Sequence, residues 1–297
     1  MSIRRPDLAP DPSLSRAEME SLQREIARSA VFTDDLGFDP ALLGDPIARA
    51  TADAPSDPDE AADSGDRTDG TTPLVAGVDQ SFLLDQDRAL SAIVVLRPAG
   101  SEWEVVERVH AVTPLEIPYI PGLLSFREGG AILAAVEELS ADPDLYLFDG
   151  SGRIHFRQAG IATHIGVMLD APSIGVAKNL LCGDPVDSTE GLAAGERVPI
   201  EANADVEGPD DIAGDETGCE GHDAADPDWP TIGYAVQSKQ YDSPNRHVNP
   251  LLVSPGHRVS AATAADVVLA FAAGYKLPEP TRLADAYAND ATKKHDS

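Results

Sequence analysis

Lysine is nearly missing from this 297-residue chain: five Lys and 17 Arg oppose 51 Asp and Glu, for a formal charge of −29. A surface so rich in short carboxylates repels itself, and it is at ease where salt screens that repulsion, so we read the charge as adaptation to a salty cytoplasm. It does not exclude nucleic acid, because strong salt screens phosphate and protein alike. Affinity must then come from local contacts. Cysteine is scarce as well: Cys182 and Cys219 share no C-x-x-C spacing, which argues against a disulfide framework and a thiolate metal site. No apolar run approaches the roughly 20 residues of a membrane span, and Met1 begins no signal-peptide pattern. These absences leave a soluble, cytoplasmic protein as the expectation. The 42% hydrophobic content is ample for one large domain or two small ones.

The order of patterns sets the fold class. Residues 1–12 read as a loose tail, and 13–30 as an amphipathic helix capped by Ser15, with Met19, Leu22, Ile26 and Ala30 on one stripe. Residues 47–72 form an acidic linker with seven acids and two Arg. Strands at 74–82, 92–96 and 103–112 with short connections predict an antiparallel meander. A helix at 127–139, a buried strand at 145–148, a helix at 158–169 and a strand at 173–177 then alternate, as parallel βαβ units do. A second acidic insert, 201–230, holds 11 acids and no Lys or Arg. Strands at 233–236 and 251–254 follow, then a tight turn at Pro255-Gly256-His257, a helix at 261–273 and a polar, partly frayed end. The expectation is an α/β protein with a mixed central sheet flanked by helices. Residues 1–72 form an N-terminal region and 73–283 one domain carrying the insert, while 284–297 are a polar tail.

Three carboxylates stand out for separate local reasons. Asp79 lies in mid-strand, where an acid is costly if buried without partners; a bulge or an exposed edge is the plain alternative. Glu128 shares a helical stripe with Leu124, Ile132, Ala135 and Leu139, which points it inward; Ser125-x-x-Glu128 also fits a capping box with no further role. Asp149 ends a buried strand, where ligands of open α/β sheets collect. Together they offer hard oxygen ligands, which favour Mg²⁺ or Mn²⁺ over Zn²⁺ and suit hydrolysis of a phosphodiester. Lys178, at the next strand end, is placed to meet a phosphate or is an ordinary surface lysine. His257 is a candidate general acid or base, or an ordinary turn histidine, and His155 and His164 share that ambiguity. Just before Glu128, Pro118 and Pro121 bracket Tyr119 and Ile120 in a rigid apolar turn that cannot join a helix.

Five ordered motifs, V-A-G-V-D-Q-S-F at 75–82, P-Y-I-P-G-L-L-S-F-R-E-G at 118–129, L-F-D-G-S-G-R-I-H at 147–155, P-S-I-G-V-A-K at 172–178 and V-S-P-G-H-R at 253–258, together resemble endonuclease V. The resemblance implies an RNase H-like fold and Mg²⁺-dependent cleavage, with Mn²⁺ as a substitute, at the second phosphodiester 3′ of deoxyinosine in DNA, with inosine in RNA as a second target. It places the metal carboxylates on Asp79 and Asp149 with Glu128 as third acid, the site histidine on His257, and the phosphate lysine on Lys178. It makes Pro118, Tyr119, Ile120 and Pro121 a wedge, and Gly122, Leu124, Gly150 and His155 the surroundings of the extruded base. The chain departs from the family pattern at Gly130, Phe156 and Gln237, the last replacing an expected Arg. A related nuclease with another lesion preference and a non-cleaving inosine binder are the competing readings.

Overall fold

The computed structural model describes residues 3–44, 72–99, 102–213, 229–241 and 247–295. Most of the acidic linker at 47–72 and the stretch 214–228 of the second insert, Cys219 included, lie outside them. Among the described residues, nine strands form one sheet in the order β3-β2-β1-β4-β5-β9-β8-β7-β6. β1 (Val75–Leu83), β2 (Arg88–Ala99) and β3 (Glu102–Pro114) make the antiparallel meander. β4 (Leu145–Asp149) joins β1 in parallel, and β5 (Ser173–Ala177) joins β4 in parallel. Those five strands have the RNase H-like order. β6 (Asp184–Pro185), β7 (Arg197–Glu201), β8 (Thr231–Val236) and β9 (Leu251–His257) extend the sheet antiparallel from β5.

Period two along the strands sorts the helices onto two faces. Ala76 and Val78 of β1, Ile93 and Val95 of β2, and Tyr146 and Phe148 of β4 all point to one side. There they meet α1 (Arg16–Ser29), α3 (Leu124–Glu137) and α4 (Ile161–Leu169) through residues such as Ile26, Ile132 and Ile165. On the other face, Leu145, Leu147 and Ile174 pack with α2 (Ala41–Gly44) and α6 (Ala261–Ala270), while α5 (Pro209–Ala213) lies against the first face through Ile212. Leu90, Ala92, Val94 and Leu96 of β2 receive α7 (Glu279–His295), which sets Ala284, Ala288 and Ala291 on them.

Both chain ends differ from the sequence expectation. Arg4 and Arg5 donate their backbone N–H groups to the Met168 carbonyl at 2.9 and 3.0 Å, and Leu8 is buried, so the start of the chain is packed rather than loose. The polar end is a helix: small Ala side chains at steps of four and three give α7 a narrow apolar stripe that its many charges hide. The capping box forms at Ser15 and Glu18 of α1, where the Ser15 N–H donates to the Glu18 carboxylate at 2.8 Å. At α3 the N-cap is Leu123, and the Ser125 hydroxyl is buried without a partner, so Glu128 is not a cap. Part of the second insert is structured too: Arg24 of α1 grips Glu207 through two hydrogen bonds of 2.8 and 2.7 Å.

Gly77 fixes the seat of α7. A Cβ at this position would collide with the backbone carbonyl of Pro280, which crosses β1 at the start of the helix. Gly77→Ala should therefore push α7 off the sheet and lower stability by about 1–3 kcal/mol. Thermal denaturation at matched salt checks this, and an unchanged melting temperature would refute the close approach.

Candidate active site

The carboxyl ends of β4 and β5 define one edge of the sheet, and the acids gather there. Asp149 is the last residue of β4 and Lys178 follows β5, so adjacent parallel strands deliver them side by side; the Lys178 ammonium donates to Asp149 Oδ2 at 2.8 Å. Asp79, on β1 with only 6% of its surface exposed, hydrogen-bonds Asp149. Burial, then the charge of Asp149 and the hydrogen bond to it, raise the Asp79 pKa to about 8, with Asp285 adding and Lys178 opposing. Glu128 reaches the edge from α3 on the other face. Burial lifts its pKa to about 7, with Arg127 opposing and Asp149 reinforcing the shift. For Lys178, burial works against the charge, yet the hydrogen bond and charge of Asp149 hold its pKa above the ordinary lysine value.

Asp285 is a member that sequence reasoning missed. It sits on α7, next to Ala284 of the apolar stripe, and its charge bears on both Asp79 and Lys178. The signal was there: Ala284, Ala288 and Ala291 mark a helix that packs on the sheet, so an acid beside them faces the edge.

His257 requires a correction. Pro255 and Gly256 continue β9 instead of turning, and His257 pairs with Ser173, the first residue of β5, at the end opposite Lys178. Its Nδ1 accepts from the Val31 N–H at 3.1 Å and its Nε2 faces Asp170 Oδ1 at 3.4 Å, so it braces the chain after α1 and stands apart from the acid cluster. His155 and His164 are braces as well. Burial lowers the His155 pKa to about 3, leaving a neutral ring whose Nε2–H donates to the Gly122 carbonyl at 3.0 Å while Nδ1 accepts from the Arg157 N–H at 3.2 Å. Both ring nitrogens are thereby engaged within the protein. His164 Nε2 donates to the Leu8 carbonyl at 2.8 Å.

The Pro-bracketed turn leads into α3, the helix that carries Glu128, and Arg127 Nη1 donates to the Ile117 carbonyl just before it at 2.7 Å. Tyr119 is 65% exposed, Pro118 and Pro121 are exposed, and Ile120 leans back on Met19, Leu123 and Phe126. Gly122 has φ +79°, a left-handed conformation that lets its carbonyl turn inward to accept from Gln23 Nε2 at 2.8 Å and from His155. Two buried side chains thus hold the tip at its base. Leu124, half-buried, opens α3, and Gly150 follows Asp149 directly and bridges to Val176.

The donor set at the edge is all oxygen, and burial, with the crowding of Asp149 and Asp285 added to it, raises the Asp79 pKa. Among the described residues no three His, Cys, Asp or Glu side chains are drawn into coordinating distance; a proton and the Lys178 ammonium balance the negative charge instead. A hard divalent cation relieves the same crowding, so the residues fit one.

An acid cluster at the carboxyl edge of an RNase H-like sheet, with a lysine on one carboxylate and a rigid apolar turn leading into the helix of another acid, defines a metal-dependent nuclease. The family model described as Endonuclease V matches residues 60–286, and the chain belongs to that family. Endonuclease V of Haloarcula marismortui is 58% identical over 289 residues, covering 97% of this chain and 96% of the relative. The crystal structure of endonuclease V from Streptomyces avermitilis is 28% identical with a TM-score of 0.66, covering 95% of each chain. The Ciona intestinalis enzyme, 24% identical with a TM-score of 0.63 over 94% of this chain and 98% of that one, shares the fold and was crystallised with a DNA containing an inosine followed by a ribo-adenosine.

The raised pKa values make the metal-free protein pH-sensitive. Between the ordinary carboxylate range and about pH 8, folded Asp79 holds a proton that the unfolded chain has lost, so its contribution to stability is complete at low pH and fades as pH rises toward 8. Melting curves in chelator from pH 5 to 8 should fall with pH, and Asp79→Asn should flatten that slope. An identical slope in the variant would show that Asp79 is not the group held protonated.

Proposed function

We propose that this enzyme incises nucleic acid beside inosine, hydrolysing the second phosphodiester on the 3′ side of the deaminated adenine as a step of DNA repair in the cytoplasm. The observation that carries the reading is the arrival of Asp79, Asp149 and Lys178 at one sheet edge, beside a tip braced for insertion. Asp79 and Asp149 would hold Mg²⁺, or Mn²⁺ in its place, with Glu128 and Asp285 completing the acidic shell. A cation held there would supply polarisation of the scissile phosphate and would ease ionisation of water. Lys178 stands ready to exchange the Asp149 carboxylate for a phosphate oxygen and to balance charge as the bond breaks. Glu128, with a pKa near neutrality, is suited to take the proton of the attacking water.

Recognition falls to the tip. Turning a base out of the duplex leaves a gap in the stack, and Tyr119 and Ile120, already fixed by Pro118 and Pro121, fill it with little ordering cost. Gly122, Leu124 and Gly150 line the place of the extruded base, and His155 supports it from behind by holding the Gly122 carbonyl.

Single-inosine oligonucleotides, made as DNA and as RNA and set beside uracil, mismatch and flap controls, test the proposal. Incision should favour inosine, fall by at least about a hundredfold in Asp79→Ala and Asp149→Ala, and fall roughly tenfold in Tyr119→Ala, the scale of one base stack removed. Equal cutting of all substrates would reject the specificity, and full activity in an Asp79→Ala, Asp149→Ala double variant would reject the mechanism. Cutting should also persist in strong salt, where the charge of −29 is screened. An optimum in dilute buffer would contradict that.

A further inference from the structure

Three of the five Lys converge on the site edge. β8 runs in the direction of β5, so residues 237–241 leave the sheet at the edge where Lys178 follows β5. Lys276, between α6 and α7, lies near enough that the charge of Lys178 adds to burial in lowering its pKa. Lys239 Nζ stands 5.2 Å from the Tyr241 ring and 5.9 Å from that of Tyr275, and the Arg282 guanidinium covers Tyr275 at 4.5 Å. Tyr275 is 52% exposed. Among the described residues, Lys239 and Lys276 have no carboxylate ion pair, unlike Lys178 and Lys293.

The group is held in place rather than left to wave. The Gln237 side-chain amide donates to the Lys239 and Val248 carbonyls, and the Ser238 hydroxyl donates to the Lys276 carbonyl. Glu279 fixes Arg282 through two hydrogen bonds of 2.7 and 2.6 Å. Gln237 thus serves to shape the loop that carries Lys239. Fixed cations around an exposed aromatic ring are the chemistry that grips a nucleic-acid strand, the cations taking phosphates and the ring taking a base or sugar.

We propose that Lys239, Tyr275, Lys276 and Arg282 form a track for the nucleic-acid strand on the 3′ side of the cut. The inference rests on the proposed incision and extends it. The tip belongs to the α1 and α3 side of the sheet, the track to the α6 and α7 side, and the acids lie at the edge between them. A strand with its lesion at the tip and its cut 3′ of the lesion must continue across the track.

Inosine oligonucleotides with a long 3′ flank, and with a flank ending just past the cut, decide the matter. The Lys239→Gln, Lys276→Gln double variant should raise KM roughly fivefold or more on the long flank, with a much smaller change on the short one. The salt slope of binding should fall by about 0.9 for each phosphate that the variant no longer neutralises. Lys→Arg exchanges should restore affinity, and Tyr275→Phe should behave as wild type where Tyr275→Ala does not. An equal defect on both flanks, or none on the long one, would overturn the track. If wild type cuts inosine no better than adenine, the proposed function fails instead; the salt slope on undamaged duplex, compared between wild type and the Lys variant, still decides the track.

Discussion

Two carboxyl groups that repel each other are held in contact at the end of a buried sheet, and much of the molecule serves to keep them there. β1 and β4 are parallel neighbours, so Asp79 and Asp149 emerge at the same edge with backbones fixed by ladder hydrogen bonds. Relaxation is closed to them: β2 is paired along the whole of β1, and α7 lies over the face that Asp79 shares with Gly77. The protein answers the repulsion with a proton on Asp79 and the Lys178 ammonium on Asp149. In the proposed reaction the first would give way to a cation and the second would move to a phosphate. The site is therefore poised by its own electrostatic cost.

The two faces of the sheet divide the work. The α1 and α3 face supports the Pro-bracketed tip through Gln23, His155 and the Met19, Leu123 and Phe126 cluster. The opposite face supplies Asp285 and the lysine and tyrosine side chains around α7. On the proposed path, a nucleic-acid strand crossing the edge would meet stacking chemistry first, then the acids, then the cations. That division explains why the packed N-terminus matters to the site: Leu8 and His164 anchor α4 beneath α3, and α3 carries Glu128.

Much of this is legible in the residues. The meander, the alternation of β4, α4 and β5, and the inward stripe of α3 follow from hydrophobic period, and the strand ends at Asp149 and Lys178 are visible as abrupt stops after apolar runs. What escapes the sequence depends on partners rather than on local pattern. α7 reads as a frayed end because Ala makes a weak stripe, and only β2 shows that the stripe is buried. Asp285 goes unnoticed with it. A Pro-Gly turn signal draws His257 toward the site, but the ladder to β5 overrides that turn and carries it to the far end of the sheet. Ser125 and Glu128 have the spacing of a capping box, yet burial of both leaves the hydroxyl unpaired and the acid committed to the edge.

The proposal turns on Asp79: it holds a proton beside Asp149 in the metal-free protein, and a divalent cation would take that proton's place. Calorimetric titration of the protein with Mg²⁺ near pH 7, in strong KCl and in buffers of different ionisation enthalpy, counts the protons released on binding. The account predicts release of at least about one proton per ion bound, and a marked reduction in Asp79→Asn. Binding of the ion with no proton released would contradict it.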